Sequence, residues 1–285
     1  MKKDTLLFLI ATIIFGTNGL ISRYINVSSF FLVASRGLIA SIFIYLVLFL
    51  QGKKINWKAI KNNGKKLLVS GILLGFMWIF IYTGYKYSVS ITSLVNNTAP
   101  IFVILISGIL FKEKLTKKQI ICVVLVFLGV LLVSGIFEEE VSDIHGLVYG
   151  FLAMICFCFN VILNKEIKDV EPLDRTLVQI FLSFVLTTIV AIFTKQIPTN
   201  IDTTSASLII LIGVLNTGVA YILYYSSVTT LPAYELAIIG YLEPVISIVL
   251  GVVILKEKIT PLGIIGSIII IVSTCVGELS QNKKK

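Results

Sequence analysis

Arg36 lies about seven residues into a long apolar run, and Glu243 is the most deeply placed acid in any such run. A charged side chain in hydrocarbon costs several kcal/mol unless it is paired or hydrated, so each is a candidate for a functional site. A carboxyl in apolar surroundings can also trade protons, and a cation with an anion suits a zwitterionic solute. Each residue has a structural alternative. Arg36 can pair with Glu243 or a carbonyl, or extend to the nearby interface. Glu243 can bridge helices or serve a gate.

Amides at membrane depth add a second set of polar groups: Asn18, Asn96, Asn97, Asn160 and Asn216, with Asn18, Asn96 and Asn216 ranked first. Interhelical hydrogen bonds average only about 0.6 kcal/mol, so stability alone does not account for so many. Trp78, Tyr82 and Tyr85 recur at i, i+4 and i+7 and share one helix face. Trp78, Tyr82, Tyr221 and Tyr241 lie deep enough to line a cavity, where a polar ring needs a partner; core packing is the alternative. Tyr85, Tyr224, Tyr225 and Tyr234 fall near run ends and read as interface anchors. Cys122, Cys156, Cys158 and Cys275 all lie in apolar runs without a CxxC spacing, and His145 is the single histidine, so no metal set is expected. His145 is a pH-switch candidate or, more simply, an exposed loop residue. Glu235 reads as a solvated first-turn carboxylate. No Walker A pattern is present, and no cofactor is expected.

Ten apolar runs must position these groups: 5–22, 29–50, 67–85, 89–111, 115–137, 146–163, 177–193, 207–228, 234–255 and 260–276. Each approaches the ~20 residues that a helix needs to cross a bilayer core of about 30 Å. They are too long and too uniformly apolar for alternating barrel strands. Residues 100–116, PIFVILISGILFKEKLT, return 144 positions later as PVISIVLGVVILKEKIT, with six of 17 identical. Five runs per half is an odd number, so the second copy must lie inverted relative to the first. The expected fold is an all-α membrane protein with ten transmembrane helices in two inverted five-helix repeats, 1–137 and 138–285.

Pro100 and Pro244 each precede a Lys-Glu-Lys corner by 12 residues, about 18 Å of helix and therefore near the bilayer middle. Each lacks an N–H and clashes with the carbonyl four residues earlier, on Asn96 and Gly240. Pro100, Pro244 and Gly240 thus read as a hinge or gate beside a mid-depth site; a packing kink is the alternative.

Composition sets the class. The 285-residue chain is 57% hydrophobic and 14% charged, against roughly 25% charged in soluble domains. The net charge of +9 sits largely in short segments between apolar runs, which marks cytoplasmic membrane loops rather than a nucleic-acid surface. With the N-terminus inside, 18 of the 24 Lys and Arg fall on inner segments and five on outer ones. Both termini are therefore expected in the cytoplasm of a plasma-membrane protein. The N-terminal stretch imitates a secretory signal but has no small-x-small cleavage site, so it reads as an uncleaved first span. Gly263 and Gly266 read as positions of close helix packing.

The sequence also resembles a known family. The motifs are Phe15-Gly16-Thr17-Asn18 and Ala34-Ser35-Arg36-Gly37 in the first half. The second half has Tyr241-Leu242-Glu243-Pro244-Val245, Lys256-Glu257 and Pro261-Leu262-Gly263-Ile264-Ile265-Gly266. Together they look like the EamA-type carriers of the drug/metabolite transporter superfamily, across both repeats. The resemblance implies ten helices in two inverted halves, a central cavity and alternating access, and it places an Arg of the second span at Arg36. The expected activity is secondary transport of a small polar metabolite, an amino acid or related compound, in the export direction, with protons as a candidate coupling ion. The partners are a small-molecule solute and the lipid bilayer. Rival readings are a flippase for a lipid or lipid-linked substrate and a membrane-embedded enzyme with Glu243 as acid/base. The enzyme would need a second positioned acid, a histidine or a metal set, which the sequence does not supply.

Overall fold

A computed structural model describes residues 3–110, 116–133, 144–228 and 230–282. The Lys112-Glu113-Lys114 corner, the acidic stretch 138–140 and the terminal lysines lie outside the described residues. All regular structure among the described residues is helical. The helices are α1 (Lys3–Gly16), α2 (Asn18–Arg23), α3 (Ser29–Leu50), α4 (Trp57–Asn62), α5 (Gly64–Tyr85), α6 (Val89–Asn96), α7 (Ala99–Leu110), α8 (Lys117–Val133), α9 (Ile144–Lys165), α10 (Pro172–Phe193), α11 (Thr203–Leu211), α12 (Ala220–Val228), α13 (Ala233–Gly240), α14 (Leu242–Val253) and α15 (Pro261–Asn282). A π-helical segment, Ile212–Val219, joins α11 to α12.

Seven of the described stretches are long and apolar enough to cross a membrane: Lys3–Arg23, Ser29–Leu50, Gly64–Tyr85, Val89–Ile106, Ile144–Lys165, Pro172–Phe193 and Thr203–Ser227. Ile238–Val253 and Pro261–Gly277 are shorter apolar helices. The chain is thus a multi-pass helical membrane protein, and large side chains such as Ile42, Phe49, Phe127 and Phe193 face outward from the bundle. In water such exposure would be costly; in lipid it is the ordinary surface.

The principal partners of the N-terminal helices belong to the C-terminal half: α1 packs on α12, α3 on α10, α5 on α9, α6 on α9 and α14, and α8 on α15. Missing side chains permit the closest approach. A Cβ on Gly129 of α8 would lie 2.9 Å from the Gly266 carbonyl, and one on Gly266 of α15 would lie 2.6 Å from the Gly129 carbonyl. The expectation for Gly266 is met by contact within the chain.

Both proline-containing runs are interrupted where the repeat predicts. α6 ends at Asn96 and α7 begins at Ala99, while α13 ends at Gly240 and α14 begins at Leu242. The prolines do not kink continuous helices, however. Each falls in the first turn of the restarted helix, where its missing N–H has no intrahelical acceptor to lose. Side chains reinforce the end of α6: Asn97 Nδ2 donates to the Ser93 carbonyl at 2.9 Å and Thr98 Oγ1 to the Val95 carbonyl at 2.6 Å, beside the backbone N–H groups of the same two residues.

Candidate functional site

Arg36 is buried at 3% exposure in the middle of α3. Its Nε and Nη2 donate to Thr217 Oγ1 at 3.1 and 2.8 Å, and Nη1 donates to the Tyr82 hydroxyl. The guanidinium carbon lies 4.3 Å from the Trp78 ring centroid and 4.8 Å from that of Tyr82, so both aromatic faces help to carry the charge. Tyr82 in turn donates to Asn18 Oδ1 at 3.0 Å. No carboxylate of the described residues lies in ion-pair range of Arg36. The expected alternative, an Arg36–Glu243 pair, is therefore replaced by hydroxyls and π faces.

The π-helical segment explains how Thr217 gets there. Its hydroxyl donates to the Ile212 carbonyl, five residues back, at 2.9 Å and accepts from Arg36. The widened turn brings the adjacent Asn216 and Thr217 both to full burial, and such π turns occur disproportionately at functional sites. Asn216 Nδ2 donates to the Ile14 carbonyl at 2.7 Å and to Thr17 Oγ1 at 2.9 Å. Both groups lie where α1 stops at Gly16, and the Ile14 carbonyl also accepts from the Thr17 N–H at 3.1 Å and Thr17 Oγ1 at 2.7 Å. Asn18 Nδ2 covers the Phe15 carbonyl at 3.0 Å.

Glu243 stands in the first turn of α14, half-buried, with the Asn97 amide close enough to act on its carboxyl. Glu243 thus lies beside the break of the opposite repeat, since Asn97 lies between α6 and α7. The α14 backbone also meets the α1 break. Ser247 Oγ donates to the Gly16 carbonyl at 3.1 Å, and a Cβ on Gly16 would come within 3.2 Å of the Glu243 carbonyl oxygen. Tyr82, Tyr85 and Tyr221 all lie within electrostatic reach of both Arg36 and Glu243. Tyr221 packs edge-on against Phe15 with centroids 5.3 Å apart. Both charges therefore border one set of phenols.

The structure brings Asn18, Arg36, Trp78 and Tyr82 into direct contact, with Asn216 one residue from Thr217, and sets Glu243 beside the α1 break. Tyr241 is buried between α13 and α14, and a Cβ on Gly240 would meet open space. Asn96 is half-buried, and its amide oxygen is shielded and has no donor partner among the described residues. Asn160 belongs elsewhere: it donates to the Ser70 carbonyl at 2.7 Å, in a network with Asn164 and Gln179 that ties α9 to α5 and α10. Tyr85 is corrected. It is 3% exposed and packs edge-on against Tyr82 at 5.6 Å, because its face of α5 turns into the bundle rather than to the interface. His145 is exposed in the first turn of α9 and stacks on Tyr87 at 4.7 Å. Glu235 accepts from Thr5 Oγ1 at 3.1 Å. Thr217 was not singled out from the sequence; its signal was a second polar residue beside Asn216 in an apolar run flanked by glycines.

Comparison with known proteins places this geometry. The profile of the EamA-like transporter family matches residues 3–135 and again 144–276. An uncharacterized transporter of Bacillus subtilis, YxxF, is 27% identical over 248 residues, covering 86% of this chain and 79% of that protein. An uncharacterized transporter of Archaeoglobus fulgidus is 24% identical over 79% of each chain, and protein PecM of Dickeya dadantii is 22% identical over 77% of this chain and 76% of its own. A solved crystal structure superposes with a TM-score of 0.68 at 15% identity, over 99% of this chain and 98% of that one, a likeness of fold alone. With two family matches spanning nearly its whole length, the chain belongs to the EamA-like transporter family.

Proposed function

We propose that the chain is a secondary carrier that moves a small polar metabolite, an amino acid or related compound, outward across the cell membrane by alternating access. Ten spans form two inverted five-helix units, 1–137 and 138–285, with both termini in the cytoplasm. The packing supports this inversion. Exchanging the halves exchanges the first and sixth, second and seventh, third and eighth, fourth and ninth, and fifth and tenth spans. The pair α1–α12 then becomes α5–α9, the pair α6–α9 becomes α1–α14, and the contact of α5 with α10 becomes that of α3 with the π segment; all of these are present. The pairs α3–α10, α6–α14 and α8–α15 map onto themselves.

The observation that carries the reading is Arg36. A buried cation with hydroxyl and aromatic partners, and no carboxylate partner among the described residues, joins Asn18 and Tyr82 of one half to Thr217 of the other. An anionic group on a solute would supply the missing counter-charge, and Glu243 would meet a cationic group or carry a proton. Asn18, Arg36, Trp78, Tyr82, Asn96, Asn216, Tyr221, Tyr241 and Glu243 line the cavity. Pro100, Pro244 and Gly240 mark the gates, since the interrupted backbone beside them can change angle without breaking helical hydrogen bonds.

A counterflow screen of proteoliposomes across amino acids and common metabolites, with imposed pH gradients, tests the reading. A saturable solute whose exchange Arg36→Ala abolishes and Glu243→Gln reduces and makes insensitive to the pH gradient is the expected result. Full flux in both variants would overturn the site. A lipid-linked substrate translocated while no soluble compound moves would instead make the protein a flippase.

A further inference from the structure

Glu257 holds the start of α6 with its carboxylate. Oε1 accepts from the Val89 N–H at 2.6 Å, and Oε2 accepts from the Ser90 N–H at 2.9 Å and from Ser88 Oγ at 3.1 Å. These are first-turn donors that the helix itself cannot satisfy, and a carboxylate there also meets the positive end of the helix dipole. The contact crosses the molecule, since α6 belongs to the first family match and Glu257 to the second. Local backbone shapes the corner for this purpose. Lys256 adopts a left-handed conformation (φ 59°), and the Glu257 N–H donates to the Gly251 carbonyl at 3.0 Å, folding the end of α14 back on itself. A Cβ on Gly251 would collide with Ser90 Oγ and lie 2.8 Å from Glu257 Oε2. Only glycine lets the corner seat.

We propose that the Glu257 corner is a reversible latch that closes the extracytoplasmic end of the carrier. This rests on the two-half carrier reading above. In that frame the 88–90 and 256–258 segments share the outer face, and rocking the halves to open it must separate α6 from the α14 corner. Glu257 is only half-buried and Lys256 and Lys258 are exposed, so water can replace the carboxylate on the α6 donors and the carboxylate can rehydrate. An exchange of that kind is near balance, as a gate requires, whereas an apolar seam would not be. Directly beneath lie Ile91, Leu94 and Ile248, which line a cavity of about 250 Å³ with Ser88, Ser90 and Glu257. Leu94 is 1% exposed, so its accessibility reports whether the latch is open.

The test is labelling of a lone cysteine, Leu94→Cys, in full-length protein whose Cys122, Cys156, Cys158 and Cys275 are alanine. A membrane-impermeant maleimide is added outside sealed vesicles. Glu257→Ala and Gly251→Ala are each expected to raise the labelling rate at least about fivefold over the parent. A separate pair, Ser88→Cys with Glu257→Cys, is expected to lose counterflow on oxidation and to regain it on reduction. Unchanged labelling in both alanine variants, with normal elution on size exclusion, would make Glu257 a fixed staple and overturn the proposal, as would full flux through the oxidised pair. The labelling assay needs no solute. A protein that labels as expected but transports nothing would count against the carrier reading and not against the latch.

Discussion

Thr217 is the residue on which the proposed site turns, because among the described residues it alone links Arg36 to the second half through side-chain hydrogen bonds, at 2.8 and 3.1 Å. Hydrogen bonds to charged groups contribute about 1.5–3 kcal/mol each. Thr217→Val keeps the shape and removes the acceptor, so flux in counterflow should fall at least about tenfold while Thr217→Ser retains most of it. Arg36→Lys should behave like a loss variant, since an ammonium cannot fork between a threonine and a tyrosine or lie flat on two rings. Glu243→Gln should leave solute counterflow measurable but remove any response to an imposed pH gradient; a gradient response that survives would take the proton off this carboxyl. Sequence made Arg36, Tyr82, Asn18 and Glu243 visible because polar groups are expensive in lipid and so stand out against apolar neighbours. It did not reveal that Arg36 would take Thr217 and Tyr82 as partners rather than Glu243, because rotamers and helix register decide that, not spacing.

At the level of elements, the proposed gates are the paired interruptions. The proline repeat located both of them, at 97–98 and 241, but not their form. A proline in a first turn ends nothing by itself; the chain has already stopped, and side chains of Asn97 and Thr98 add to the backbone bonds on the last carbonyls of α6. Pro100→Ala adds a first-turn donor that has no intrahelical acceptor and frees φ beside the break. Its melting temperature in detergent should therefore change little while its flux falls several-fold. The two non-proline irregularities were illegible. The stop of α1 after Gly16 and the π segment at Ile212–Val219 meet each other, since Asn216 of the second donates to the Ile14 carbonyl of the first, 202 residues away. No local pattern announces such a pairing. By contrast Gly266 was readable as a packing position. Leucine at 266 should lower the melting temperature markedly, because the Gly129 carbonyl would lie within 2.6 Å of the new Cβ and backbone cannot yield as a side chain can.

The whole molecule follows from the repeat and the apolar runs, and its helical class, its membrane setting and its family were all within reach of the sequence. The sense of inversion is a stronger statement, and epitopes can check it: a tag at 256–258 should be accessible from outside intact cells and one at 53–54 only after permeabilisation. Each half contributes polar groups to the same interior cluster, so neither half forms a site alone. The most direct test of whether that shared interior opens to each face in turn, as proposed, is sided labelling of Asn96→Cys, at a position that stands half-buried at the α6–α7 break. In an otherwise cysteine-free chain that retains counterflow, an impermeant maleimide should modify position 96 from either face of the membrane, and modification from either face should stop flux. Modification from one face alone, under conditions where solute still moves, would contradict the account.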